Sequence, residues 1–259
     1  MATLDNNRLI KIALGAVLAG SKIAELANGT RVVNHKGNLR DIVTQADIDI
    51  SELLENQLSV TGLPVISEEK HDPEKATPDV FWVIDPIDGT VNFSHGLQQY
   101  AVSIGMVENG EFKLGFVCAP ALDELYFTLS KDVALLNGKP FKHEHRPQQD
   151  ALVAVSFSAN APTSCYDLFQ QVNESTRGCL RTGCAAINIC WAATGKLQAA
   201  YGFNAKLWDV AGALAIAKAA GCSVALRYKP NALTLDYCIG SKDTVSHITS
   251  LAKQNGLWD

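Results

Sequence analysis

The segment Trp82-Val83-Ile84-Asp85-Pro86-Ile87-Asp88-Gly89-Thr90-Val91-Asn92-Phe93 carries the residue types and spacing that most directly offer chemistry. An apolar run leads straight into two carboxylates and then a Gly-Thr step. Asp85 and Asp88 stand three positions apart with Pro86 between them, so a turn at the proline is expected to bring both acids toward one point. Carboxylates gathered there repel each other unless a cation lies between them. Ligands that are all oxygen favour Mg²⁺ or a similar hard ion over zinc. Gly89 permits close backbone approach, and Thr90 offers a hydroxyl where exposed N–H groups can hold a phosphate. The same residues admit a plainer role, an Asp-rich turn at a strand end in which Asp85 and Asp88 cap backbone amides.

Those residues need elements to position them. Leu9, Ile12, Ala13, Ala16, Val17, Ile23, Ala24 and Leu26 recur at helical spacing between candidate caps at Asp5-Asn6-Asn7 and a stop at Asn28-Gly29. Arg8 and Lys11 before an apolar stretch give a superficial likeness to a signal peptide, but the pattern continues beyond it and reads as an amphipathic helix of the mature chain. Thr44-Gln45-Ala46-Asp47 has the form of a helix-starting box, followed by Ile50, Leu53, Leu54 and Leu58 on one face. Strands are expected at 63–66, 80–84, 101–107, 112–118 and 125–128, with turns at Asn109-Gly110 and Asn137-Gly138. Glu68-Glu69-Lys70 falls in a polar loop between the first two. From about 150 the rhythm changes: strands at 152–156, 197–201, 223–226 and 237–240 alternate with helices near 163–173, 183–194, 208–220 and from Asp243. Meandering strands first and β–α alternation afterwards divide the chain into lobes over 1–145 and 146–259.

Composition narrows the function classes. The chain has 259 residues, 47% hydrophobic and 19% charged, which excludes a disordered or fibrous protein. Twenty-two Lys+Arg against 27 Asp+Glu give a net charge of -5, which argues against a general nucleic-acid or membrane-surface binder. A small anionic substrate stays open, because a bound metal reverses the local field. No uncharged apolar run reaches the roughly 18–20 residues of a bilayer span. The seven cysteines are odd in number and form no CxxC pair; they read as buried, reduced thiols of a cytoplasmic protein.

Four segments together resemble the inositol monophosphatase family of Mg²⁺-dependent, lithium-sensitive phosphatases: Asp41-Ile42-Val43-Thr44-Gln45-Ala46-Asp47, Ser67-Glu68-Glu69, the Asp85-to-Phe93 block, and Leu207-Trp208-Asp209-Val210-Ala211-Gly212-Ala213. They occur in the family's order with similar spacings. A phosphatase of haloacid-dehalogenase type fits poorly, since its DxDGT signature has one residue between the aspartates and this chain has two. The resemblance implies a layered αβαβα sandwich, an α+β or α/β fold shared with fructose-1,6-bisphosphatases. It implies that Glu68, Asp85 and the carbonyl of Ile87 hold a first metal ion, that Asp85, Asp88 and Asp209 hold a second, and that Asp47 helps to bind a third through water.

By the same resemblance, Thr90 with Asp47 orients and deprotonates an attacking water, with Glu68 in the catalytic set. Gly89 and Thr90 amides meet the phosphate, Asp88 also meets the substrate, and Gly183-Cys184-Ala185 lines the leaving-group side. Lys36 matches a family lysine near the site, and His95 matches a family histidine read here as a structural hydrogen-bonding residue. Physics supports the cations independently. Four acids around a dianionic phosphate repel it by about 1 kcal/mol per pair at 4 Å in water, and by more in a drier cleft. About two to three Mg²⁺ ions reverse that sign and allow water to attack without a phosphoenzyme.

Two departures fall on the leaving-group side. The glutamate that contacts sugar hydroxyls in inositol-specific members aligns with Gly202, and Cys184 stands where many members have Thr or Ser. The expected activity is hydrolysis of a small phosphate monoester, with inositol 1-phosphate as the default. Fructose-1,6-bisphosphatase or nucleotide 3′-phosphatase preference, or a non-catalytic regulatory role, are the alternatives. A homodimer without membrane or nucleic-acid partners is expected.

Overall fold

The computed structural model describes residues 5–27, 42–70, 78–158, 160–228 and 233–258, and the backbone of 32–35. The expected helix stop at Asn28-Gly29, and Lys36 and Asp41, lie outside the described residues. In chain order the elements are α1 (Asn6–Ala27), β1 (Val32–His35), β2 (Ile42–Thr44), α2 (Gln45–Ser59), β3 (Val65–Ser67), β4 (Val80–Asp88), α3 (Thr90–Ser94), β5 (Ala101–Glu108), β6 (Glu111–Ala119), β7 (Glu124–Ser130), β8 (Val133–Leu136) and β9 (Lys139–Phe141). They continue with β10 (Leu152–Ser156), α4 (Thr163–Ser175), β11 (Gly178–Leu180), α5 (Ala185–Ala193), β12 (Ala199–Lys206), α6 (Leu207–Ala220), β13 (Ser223–Tyr228), β14 (Thr234–Gly240) and α7 (Lys242–Gln254).

Strands β3 to β9 form one sheet in sequence order, antiparallel except where β3 runs parallel to β4. The second sheet has the order β11-β10-β12-β14-β13, with β10 parallel to both β11 and β12. Amphipathic α1 and α2 bury Leu9, Ala13, Val17, Ile50, Leu54 and Leu58 against one face of the first sheet. Helices α5 and α6 lie between the two sheets, and α4 and α7 cover the outer face of the second. The result is the expected five-layer αβαβα sandwich.

The middle layer explains its own sequence. α6 reads Leu-Trp-Asp-Val-Ala-Gly-Ala-Leu-Ala-Ile-Ala-Lys-Ala-Ala and is buried nearly all round, as a helix packed by sheets on two sides must be. Its approach to the first sheet is very close: a Cβ on Gly105 would lie 2.8 Å from the Gly212 nitrogen, and one on Gly115 would lie 1.9 Å from the Gly212 carbonyl oxygen. Glycines on β5, β6 and α6 let backbone rest on backbone there, and that seat fixes where the first turn of α6 delivers Asp209.

All seven cysteines are free, and six are buried. No helix among the described residues is long and apolar enough to cross a membrane. The Asp5 carboxylate accepts from Asn7 N–H at 3.1 Å at the start of α1.

Candidate active site

The structure corrects the expectation of a turn at Pro86. β4 continues through Asp88, and its pairing with β5 shifts instead: Asp85 faces Ser103 and Asp88 faces Ala101. Pro86 and Ile87 together oppose the single residue Val102, a β-bulge that accommodates a proline unable to donate to the ladder. The bulge has a consequence for side-chain direction. Positions three apart on a regular strand point to opposite faces, but the extra residue restores a common face, as Ser103 and Ala101 show by being two apart. Asp85 and Asp88 therefore share a face without leaving the strand.

Other elements bring further acids. Glu68 follows β3, whose residue Ser67 pairs with Ile84 next to Asp85. Asp209 lies in the first turn of α6, where it accepts from Lys206 N–H and where the helix dipole favours a negative charge. Asp47 is buried in the first turn of α2: Thr44 N–H donates to its Oδ2 at 2.8 Å, completing the box read from the sequence. From that place its other oxygen reaches the bulge, for Thr90 Oγ1 lies 3.4 Å from Asp47 Oδ1 and 2.9 Å from the Ile87 carbonyl. Asp47 is thus a helix cap and a neighbour of Thr90 at once.

Electrostatics shows how crowded these acids are. Burial raises Asp85 well above the usual carboxylate range, and Glu68, Asp88, Asp209 and Asp47 each push it further. Asp209 is raised by burial, then by Asp88 and Glu68. Asp88 is raised to about 6 by burial, against the opposing pull of hydrogen bonds from Cys184, Ala186 and Ala185. Buried Asp85 Oδ1 has no hydrogen-bond partner. A buried carboxylate oxygen without a donor, among four other carboxylates, fits a hard cation bound by oxygen. Among the described residues no three His, Cys, Asp or Glu side chains are grouped so that they could hold a metal ion as they lie; Asp88 is turned toward α5.

That turn brings in the second half of the chain. Asp88 Oδ2 accepts from Ala186 N–H at 2.6 Å and from the Cys184 thiol at 3.0 Å. Gly183, exposed and left-handed with φ at 89°, precedes them, so Gly183-Cys184-Ala185 does stand against the bulge. Gly89, with φ at 92°, starts the short helix α3, and a Cβ there would lie 2.7 Å from the Gln99 carbonyl. Gly202 has no room for a side chain either: a Cβ would meet the Tyr237 ring at 2.5 Å, its cross-strand neighbour. His95 is exposed at the end of α3. Sequence reasoning assigned nothing to Asn92, whose amide nitrogen donates to the carbonyls of Gln99 (2.7 Å) and Thr182 (2.8 Å); its position inside the Asp85-to-Phe93 block was the only signal.

Residues 5–254 match the sequence profile of the inositol monophosphatase family. Among curated relatives, the fructose-1,6-bisphosphatase/inositol-1-monophosphatase of Thermotoga maritima is 32% identical over 190 residues, covering 73% of each chain. The inositol-1-monophosphatase of Mycobacterium bovis is 34% identical over 217 residues, covering 79% of this chain and 75% of its own. Among solved structures, Mycobacterium tuberculosis SuhB superposes with a TM-score of 0.81 at 26% identity, over 98% of this chain and all of that one. Fold, site and relatives together define a phosphoric monoester hydrolase. The chain belongs to the inositol monophosphatase family, whose members depend on metal ions.

Proposed function

We propose that this protein hydrolyses a small phosphate monoester, with inositol 1-phosphate the default substrate and about two to three Mg²⁺ ions as cofactor. The observation that carries the reading is the mutual crowding of buried Asp85 with Glu68, Asp88, Asp209 and Asp47. Glu68, Asp85, Asp88, Asp209 and the Ile87 carbonyl are the groups that would hold the ions, with Asp47 near a further one. When bound, Mg²⁺ supplies the positive charge that offsets repulsion of the phosphate and stabilises the departing alkoxide.

The chain's own residues do the rest. The Thr90 hydroxyl, anchored on the Ile87 carbonyl beside Asp47, orients a water for attack, and Asp47 takes its proton. Gly89 and Thr90 amides cradle the phosphate. The Gly183-Cys184-Ala185 segment, tied to Asp88 through the Cys184 thiol and flanking N–H groups, walls the alcohol side. No covalent phosphoenzyme forms in this reading. The protein works as a cytoplasmic homodimer, and its net charge of -5 disfavours direct contact with RNA.

One observation favours keeping other alcohols in view. Gly202, the position that aligns with the family's sugar-contacting glutamate, has no room for a side chain against Tyr237, so a sugar bisphosphate or a nucleotide 3′-phosphate competes with inositol 1-phosphate for the assignment. The test is a panel of these esters assayed with and without Mg²⁺. Release of phosphate that requires the metal supports the reading, and the preferred ester names the alcohol. Trapping of a phosphorylated protein during turnover contradicts it.

A further inference from the structure

Two walls of the site come from segments 90 positions apart in the sequence, and one side chain spans them. Asn92 belongs to α3, two positions after Thr90 of the Gly89-Thr90 cradle. Its Nδ2 carries two hydrogens and meets two main-chain carbonyls, Gln99 at 2.7 Å and Thr182, 90 positions away, at 2.8 Å. The fit around this amide is close on the far side as well. A Cβ added to Gly183 would lie 3.0 Å from Asn92 Nδ2 and 3.1 Å from its Oδ1. Gln99, the other anchor, is the residue whose carbonyl packs against Gly89.

The network continues past Thr182. Its hydroxyl donates to Asn188 Oδ1 at 2.6 Å inside α5, so the carbonyl gripped by Asn92 belongs to a residue fixed at both ends. Directly after Thr182 come the three residues that wall the alcohol side, Gly183, Cys184 and Ala185, the last of which opens α5. A half-buried amide with both donors satisfied by backbone of two different segments sets a distance rather than offering a contact to solvent.

We propose that Asn92 is a positioning residue that sets the gap between the phosphate cradle and the 183–185 wall, and thereby which alcohols the site accepts. The inference rests on the phosphatase reading above. Cutting the amide leaves Thr90 anchored on the Ile87 carbonyl and releases the wall, so bulky leaving groups lose their register while phosphate does not.

The experiment compares Asn92→Ala with wild type on three probes: inositol 1-phosphate, methyl phosphate, and inorganic phosphate as a competitive inhibitor. The expected result is a KM for inositol 1-phosphate raised about tenfold to a hundredfold, the scale of a small misplacement in a positioned site. The KM for methyl phosphate and the inhibition constant of phosphate stay within about twofold. Equal losses on all three probes, or no change on any, overturn the inference. Should Asn92→Ala fail to fold, Asn92→Ser is compared with wild type on the same three probes, and the same results support or overturn the inference. Wild-type protein that hydrolyses neither ester overturns the phosphatase reading and this inference with it, a result distinct from an active wild type and an indifferent variant.

Discussion

Thr90 and Asp47 are 43 positions apart in sequence, yet Thr90 Oγ1 stands 3.4 Å from Asp47 Oδ1 while holding the Ile87 carbonyl at 2.9 Å. The shorter bond anchors the hydroxyl; the longer one defines where a proton can go. Asp47→Asn preserves shape and an oxygen to accept from Thr44 N–H, and removes the base. It is expected to lower kcat by about 10²- to 10⁴-fold, the usual contribution of a positioned acid or base, with little change in melting temperature. A variant with near-normal kcat removes Asp47 from the chemistry and leaves it a helix cap.

The raised carboxylates make stability depend on pH in a definite direction. Asp88 titrates near 6 in the folded protein against about 4 for a free aspartate. Between those values the folded state binds more protons than the unfolded one, so stability contributed by this group falls as pH rises through the window and stays lost above it. Asp85 and Asp209 shift in the same direction. In chelator, wild type is therefore expected to lose stability relative to Asp88→Asn as pH climbs from about 4 to above 6. Mg²⁺ prefers the ionised groups and reverses the trend. Thermal melts of both proteins across that range check the sign.

Packing of α6 gives a prediction about backbone rather than charge. Gly115→Ala drives a Cβ to 1.9 Å from the Gly212 carbonyl oxygen, so the helix must shift and carry Asp209 with it. The expected cost is about 1–3 kcal/mol or more, together with loss of activity. Gly15→Ala, on an exposed face of α1 with nothing within 4 Å of the new methyl, is expected to stabilise by about 0.4–1 kcal/mol. Denaturant unfolding of the two variants separates these outcomes.

Cys184 works here as a donor rather than as a reactive thiol, because it is buried and bonded to Asp88. Cys184→Ser keeps a donor and is expected to retain activity. Cys184→Ala leaves Asp88 short of one hydrogen bond, worth about 1 kcal/mol or a fewfold in rate. Steady-state kinetics of the pair that fail to differ would remove the thiol from the site's support.

Much of this was legible in the sequence for physical reasons that act locally. The Thr44-to-Asp47 box announces α2 because capping needs only four consecutive residues. The stretch near 208–220 announces a helix, and its place between two sheets accounts for its being apolar nearly all round. What was not legible is where local signals compete. Pro86 reads as a turn, yet β5, paired with β4 both before and after the proline, holds it in line and converts the extra residue into a bulge. β12 likewise runs on to Lys206, beyond the expected 197–201, through a register shift between Gly202 and Ala205. The bond from Asn92 to Thr182 depends on tertiary approach alone, and no spacing in the sequence encodes it.

Calorimetric titration of Mg²⁺ into wild type, Asp85→Asn and Asp209→Asn, each shown folded by circular dichroism, measures most directly whether this acid cluster gathers cations. Wild type is expected to bind, with an affinity at least about tenfold weaker in each variant, since even outer partners of a metal site cost that much. Wild-type affinity in Asp85→Asn, or no binding to wild type at all, contradicts a cation-binding role for the cluster.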